Sequence, residues 1–299
     1  MTAPREILPG QTYLVTRRCT QRQFLLRPSP LTNQLVRYCL ALAASRTGVL
    51  IHAVCVMSNH WHGVLTDPLA RLPEFLEYFH RLLARAQNAS LGRWENLWSS
   101  DKTSVVRLLS DADVLEKMAY TIANPTTAGL VHAPKEWPGV ITTRIGERWT
   151  ANMPHVFFDP QGSLPETVTL EITRPPIYLH TDQPQLVRHI AARVDRLVRK
   201  AREALAQQGR KFLGAKAVRQ QPVDTVPSTT EPRRNPNPRI ASSHTAERVQ
   251  AIRRLVAFLR EYRAAWRAWR GGRRDQVFPP GTYALRVYAR VACAPACPA

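Results

Sequence analysis

Two pairs of side chains in this chain have the types and spacing to do chemistry together. In residues 57–62, Met-Ser-Asn-His-Trp-His, two histidines stand two apart. In an extended strand successive side chains point to opposite faces, so His60 and His62 share one face and Trp61 takes the other. Two imidazoles side by side supply two thirds of a metal site. Further along, Tyr120 and Asn124 stand four apart, which on a helix puts a phenol and a carboxamide on one face. A phenol with an ordinary pKa near 10 is a poor nucleophile at neutral pH, so a tyrosine that attacks a phosphate needs a cation beside it. The carboxamide oxygen of Asn124 can be a further ligand to such a cation. Each pair alone also fits a bland role: the histidines as ordinary strand residues, Tyr120 as a half-buried helix residue, Asn124 as a helix cap.

The elements that must position these groups are legible in outline. Residues 49–56 and 63–66 read as strands that pair through the Ser58-Asn59 turn as an antiparallel hairpin. Residues 111–123 read as a helix, with Asp111 or Asp113 as N-cap, Val114, Leu115, Met118 and Ile122 at helical spacing, and Pro125 as a stop beyond its end. Upstream, residues 12–16 read as a first strand ending in Arg17 and Arg18, placed to meet a phosphate or simply to be solvated. Residues 31–47 carry Leu31, Leu35, Tyr38, Cys39 and Leu42 at a helical period that ends at Gly48, and residues 72–90 form a second amphipathic helix. Trp94 and Trp98 follow in a loop, where they anchor it in the core or offer rings for base stacking; anchoring is the expected role. Residues 134–176 are Pro-rich and irregular, with one strand expected at 168–172. Strand, helix, hairpin, helix, helix is the order of an α+β protein, one sheet with helices against it.

Charge narrows the partner. The 299 residues hold 42 Lys and Arg against 22 Asp and Glu, a formal net charge of +20. Residues 184–274 alone hold 22 Lys and Arg against 6 Asp and Glu, a net of +16, leaving +4 for the rest. Such a field attracts polyanions; it selects a partner class, not a reaction. The span opens with a helix over 185–207, its apolar face Leu186, Ile190, Val194, Leu197 and Val198. A second helix over 245–270 has an expected buried side of Val249, Ile252, Leu255, Val256, Leu259, Tyr262 and Trp266. Between them, residues 220–243 read as a flexible arm that exposes Arg233, Arg234 and Arg239 to a phosphate backbone. Alternating residues over 282–291 read as a last strand. Five cysteines, Cys19, Cys39, Cys55, Cys293 and Cys297, are odd in number and lack paired Cys-x-x-Cys spacing, which argues against a disulfide framework or a zinc ribbon. No apolar leader opens the sequence and no apolar run approaches the roughly 20 residues of a spanning helix, so a cytoplasmic, nucleoid-associated protein without a membrane is expected.

Residues 54–65, VCVMSNHWHGVL, resemble the histidine-hydrophobic-histidine motif of the single-tyrosine HUH transposases. Residues 120–131, YTIANPTTAGLV, resemble the tyrosine-helix motif of the REP-associated tyrosine transposases, usually written Tyr-Ile-x-x-Asn-Pro-Val-Arg-Ala-Gly-Leu-Val. Order and separation agree as well, as does YLVTRR at 13–18 with Arg22, so the resemblance covers roughly residues 11–145. It implies that His60, His62 and Asn124 bind a divalent cation, magnesium or manganese, and that Tyr120 attacks a DNA phosphate. It also implies a ferredoxin-like or RRM-like HUH endonuclease sandwich with an antiparallel sheet over residues 1–145, to which this chain adds a basic helical C-terminal region. The sequence departs from the pattern at Ser58 (often Pro), Gly63 (often Leu), Ile122 (often His), and Thr126 and Thr127 (Val and Arg). None of these removes a ligand or the nucleophile, although Thr127 takes away a basic side chain.

The expected organisation is therefore a catalytic domain over 1–145, an irregular connector over 146–183, a DNA-binding region over 184–274, and a C-terminal strand and tail over 275–299. The expected activity is metal-dependent cleavage and rejoining of single-stranded DNA, with hairpin-forming repeats as partner and a monomer or homodimer as the working form. The alternative is a non-catalytic DNA-binding protein of the same fold. A hydrolase of unrelated type using the histidine pair would need an acidic base, and Asp67 is the nearby candidate.

Overall fold

The computed structural model describes residues 4–157, 162–228 and 238–295. Its centre is a five-stranded sheet: β1 (Gln11–Arg18), β2 (Leu50–Met57), β3 (His60–Asp67), β4 (Ser104–Leu108) and β7 (Ile240–Ala241), in the order β2-β3-β1-β4-β7. The first four strands pair antiparallel and β7 joins β4 in parallel, so the sheet is mixed and not antiparallel throughout as expected. Helix α1 (Pro30–Thr47) links β1 to β2, and α2 (Leu72–Ser90) links β3 to β4. Each link joins parallel strands that enclose a third, so two split β-α-β units interleave. The β2-β3 hairpin turns at Ser58-Asn59 as the sequence predicts.

Both faces of the sheet are covered. On one, Tyr13, Val15, Val54, Val56, Trp61 and Leu65 pack with Leu35 and Cys39 of α1 and Phe75, Phe79 and Leu83 of α2. On the other, Ala53, Val64 and Leu108 pack with Val114, Leu115 and Met118 of α3 (Asp111–Thr127), over which lie Leu186 and Ile190 of α4 (Gln183–Gln207). α4 is thus fixed to the tyrosine helix, and Arg193 and Arg196 of α4 both reach Glu116 of α3, at 3.3 and 2.5 Å.

Local chemistry explains the helix ends. Ser29 caps α1 by accepting from the Thr32 amide at 3.0 Å, and Gly48 ends it in the left-handed region, φ 74°, where a side chain would be strained. The N-cap of α3 is Ser110, with Asp113 completing a capping box, and not Asp111 or Asp113 as the sequence suggested. Pro125 does not stop α3, which runs on to Thr127. A proline loses its own amide from the ladder and crowds the carbonyl four residues back, and the last turn is held by the Thr127 hydroxyl and the Ala128 amide, both donating to the Asn124 carbonyl at 3.0 and 2.9 Å.

The rest of the chain builds around this centre. β5 (Arg148–Asn152) and β6 (Thr167–Glu171) form a second, two-stranded sheet, so residues 134–176 carry a hairpin where one strand was expected. After α5 (Ala215–Gln220) come β7 and α6 (Thr245–Arg270). Phe258, Tyr262 and Ala265 of α6 are buried with Phe278 and Val291, but Val249, Ile252 and Val256 are 41, 46 and 59% exposed, against expectation. Helical periodicity reports a face; it does not say how far a partner extends along it. Residues 282–291 form the short helix α7 (Ala284–Tyr288) and not a strand: the Thr282 hydroxyl bonds back to the Pro279 carbonyl at 2.9 Å, turning the chain before any edge can pair with it. No helix among the described residues is long and apolar enough to cross a membrane.

Candidate active site

The register between β1 and β3 sets the site. Thr16 lies opposite His62 and Arg18 opposite His60, so these four side chains rise from one face of the sheet. The two imidazoles stand 4.7 Å apart, centroid to centroid, nearly perpendicular at 82°. Trp61 points the other way, fully buried, and its indole N–H donates to His80 Nε2 of α2 at 3.1 Å. Gly63 is part of this anchor: a Cβ there would come within 2.6 Å of the Trp61 ring, so the glycine makes room for the indole.

Helix α3 supplies the third group. The Tyr120 ring lies 5.3 Å from the His62 ring, so side chains 58 residues apart in sequence meet. Tyr120 is 37% exposed, reachable by a ligand, and Lys117 one turn earlier places its ammonium 5.7 Å from the phenol ring. Asn124, one turn later on the same face, is 7% exposed.

Hydrogen bonds orient both imidazoles. His60 Nδ1 lies 2.7 Å from Asn59 Oδ1, which fixes the proton on Nδ1 and the lone pair on Nε2. Asn59 in turn donates through Nδ2 to the Arg22 carbonyl at 3.0 Å, tying the hairpin to the turn after β1. His62 Nδ1 lies 2.7 Å from Thr16 Oγ1; donation from Nδ1 leaves Nε2 as its lone-pair nitrogen too. Burial above all, with His60 and Arg18 adding, holds His62 well below the usual imidazole range, so it is neutral at pH 7, the form that ligates cations. Thr16, Asn59 and Lys117 were not singled out in the sequence. The spacing of Lys117 to Tyr120 could have indicated that pair, whereas Thr16 and Asn59 emerge from strand register.

The donor set fits a divalent cation in part. Imidazole nitrogen is a borderline ligand and a carboxamide oxygen a hard one, so this set could hold a divalent cation only with water or phosphate oxygens completing the shell. Among the described residues no group of three or more His, Cys, Asp and Glu is arranged to hold a metal, so any third protein ligand has to be of another type, such as Asn124. Asp67 cannot serve as a base here: its carboxylate accepts from the Arg71 and Leu72 amides at 2.9 and 2.7 Å, capping α2 at the far end of β3.

The remaining candidates are dispersed. Arg17 donates to the Ser99 carbonyl at 2.9 Å, the Asp101 carbonyl at 2.5 Å and the Thr103 hydroxyl at 3.2 Å, fastening the loop after α2 to β1. Arg18 is exposed at the His60 end of β1. Arg239 lies at the outer sheet edge and donates to the Pro4 carbonyl at 2.6 Å, while Arg233 and Arg234 lie outside the described residues. Trp98 anchors its loop, donating to the His80 carbonyl at 2.9 Å, but Trp94 is 93% exposed.

Two solved structures similar to this chain are described as transposases. One is a REP-associated tyrosine transposase bound to a REP hairpin, 18% identical, with a TM-score of 0.40 and covering 46% of this chain and 81% of that one. The other is a candidate transposase from Deinococcus radiodurans R1, 19% identical, with a TM-score of 0.29 and covering 37% of this chain and 88% of that one. No protein-family profile and no curated protein matches the chain. At these values no residue role carries across from either structure.

Proposed function

We propose that this chain is a transposase-type endonuclease that cleaves and rejoins single-stranded DNA through Tyr120. The observation that carries the reading is the 5.3 Å approach of the Tyr120 ring to His62, beside His60. The interleaved β-α-β order supports a ferredoxin-like HUH arrangement, with the histidine pair on a central strand and the tyrosine on a helix packed across it.

In this mechanism His60 and His62, with Asn124, would hold magnesium or manganese, which would supply charge stabilisation at the scissile phosphate. Thr16 and Asn59 keep the imidazoles turned toward the site. Tyr120 Oη forms a bond to phosphorus and loses its proton to solvent; the Lys117 ammonium lowers the energy of the phenolate on the way. The bond from phosphorus to the 3′ oxygen breaks in line, and that oxygen takes a proton from solvent and leaves as a 3′-hydroxyl, with a 5′-phosphotyrosine left on the protein. The phosphotyrosine keeps the energy of the ester, so attack by a 3′-hydroxyl reverses the step and joins strands without ATP. Positioning carries most of the catalysis. Exposed Arg18 and the exposed ring of Trp94, whose loop is tied to the end of β1, would help grip a single strand.

The test is incubation of the full chain with manganese and a pool of single-stranded hairpins, followed by denaturing gels. A covalent protein–DNA band is expected with the natural sequence and none with Tyr120→Phe, which should still bind DNA. A band of equal strength in the variant removes Tyr120 from the role; binding without any band in either protein favours a non-catalytic DNA-binding protein.

A further inference from the structure

Behind the helix that carries Tyr120, between α3, α4 and residues 133–145, lies a cavity of about 340 Å³. Its walls are Met118 and Ile122 of α3, Ile190 and Val194 of α4, and Ile141 and Ile145, with His52 of β2 at the sheet. Met118 and Ile122 stand two residues either side of Tyr120, so at 3.6 residues per turn they face the other way around the helix. The histidine pair, Tyr120 and Asn124 do not border the cavity, which is therefore a second space.

The polar groups of the inner wall are engaged with the fold. His52 is fully buried and uses both ring nitrogens, Nδ1 lying 3.0 Å from the Thr173 carbonyl and Nε2 2.7 Å from Thr66 Oγ1. Thr142 Oγ1 accepts from the Val54 amide at 2.9 Å. A charged group placed inside would lose its water and meet no opposite charge, so the interior suits hydrocarbon. Val187 on the α4 wall is 39% exposed, apolar surface that such an occupant would take from water.

Charge stands at the mouth, where Lys135, Arg144 and Asp195 are exposed. Two of these are cations and one is a carboxylate, so however they pair among themselves one positive charge of the lining is left over. Glu147 beside them is turned onto its own loop, accepting from the Thr143 amide and hydroxyl, each at 2.7 Å. Spaces of roughly 300–1,000 Å³ with apolar walls and a few polar groups are the usual form of small-molecule sites. An apolar cavity of about 150 Å³ takes a benzene ring, so this one takes two fused rings or an alkyl chain of similar bulk.

We infer that this cavity binds a small apolar carboxylate, its hydrocarbon body between α3 and α4 and its head at Lys135 and Arg144. The site stands whether or not Tyr120 does chemistry.

The test is calorimetric titration of the full chain with sodium 2-naphthoate, beside the neutral 2-naphthalenemethanol. The carboxylate is expected to saturate one site and to slow amide hydrogen exchange in residues 118–122 and 187–194. The alcohol should bind about two- to fivefold more weakly, the scale of an exposed charge pair, and Lys135→Gln with Arg144→Gln should erase that difference. Ala191 lines the cavity from the exposed side of α4, so Ala191→Phe fills it without displacing a packed side chain. This variant should keep its melting temperature yet bind naphthoate about tenfold more weakly or worse, since burying a Phe-sized apolar group contributes that much. The inference is overturned by an absence of saturable binding, by Ala191→Phe binding as tightly as its parent, or by the alcohol binding as tightly as the carboxylate.

Discussion

His62 takes its orientation from Thr16 on the neighbouring strand and its ring neighbour, Tyr120, from a helix above. In the proposed site, its affinity for a cation would therefore depend on a hydroxyl that has no chemistry of its own. Thr16→Val keeps the shape and the strand preference and removes the hydroxyl. Groups that orient metal-ligating histidines typically control affinity by 10–100-fold, so manganese binding by this variant, read by titration calorimetry, should weaken by about that factor while its far-ultraviolet circular dichroism stays unchanged. Unaltered affinity would mean that the 2.7 Å bond does not act on the ligand. At this scale the sequence showed His60, His62, Tyr120 and Asn124, because periods of two and four place residues on faces without knowledge of the fold. It did not show Thr16 or Asn59, whose roles rest on strand register, where a slip of one residue would turn Thr16 to the opposite face.

Between elements, the strand carrying the histidines is clamped to α2 by the Trp61–His80 bond, and His52 bridges β2 to the segment after β6, with Nδ1 3.0 Å from the Thr173 carbonyl and Nε2 2.7 Å from Thr66 Oγ1. Burial pushes His80 down to about 3 and His52 down to about 4. Both folded values lie below the unfolded value near 6.5, so the unfolded chain binds protons first on acidification. The stability these neutral histidines contribute is fully present above about pH 6.5 and is lost as pH falls toward 4, by up to about 1.4 kcal/mol per pH unit for each. Denaturant midpoints measured at pH 7, 6 and 5 should fall steadily. His80→Gln keeps an acceptor for Trp61 and removes one titration, so its midpoint should fall less steeply; an identical slope would exclude His80 as a source. The helices were the most legible elements, since α2 and α6 span the expected 72–90 and 245–270. The errors came where pattern had no partner: residues 282–291 alternate, but no sheet edge meets them, and the apolar positions at the start of α6 stay exposed.

Across the whole molecule, the +20 charge sets how a polyanion is met, but it is not all available for binding. Arg193 and Arg196 of α4 hold Glu116 of α3, and Arg202 donates to the His132 carbonyl at 2.9 Å, so part of the basic C-terminal third fixes the helix that carries Tyr120. The exposed remainder should still dominate DNA affinity. Binding of single-stranded DNA by Tyr120→Phe, followed by fluorescence anisotropy, should fall at least about tenfold between 50 and 200 mM salt, the loss expected when some three phosphates are neutralised at a slope near 0.7 each. A flat response would show that the charge does not meet the backbone. Composition suggests this partner class from the sequence alone, whereas the structural use of individual arginines depends on which helix lies against which.

The central claim is that Tyr120 and the histidine pair act on one phosphate. Its most direct test is protease digestion of protein incubated with manganese and hairpin DNA, followed by mass spectrometry of DNA-linked peptides. A single adduct on the peptide containing Tyr120, abolished by chelation and by His62→Ala, is the predicted result. An adduct mapped to any other residue, or one that forms on Tyr120 undiminished in His62→Ala with the metal removed, would contradict it.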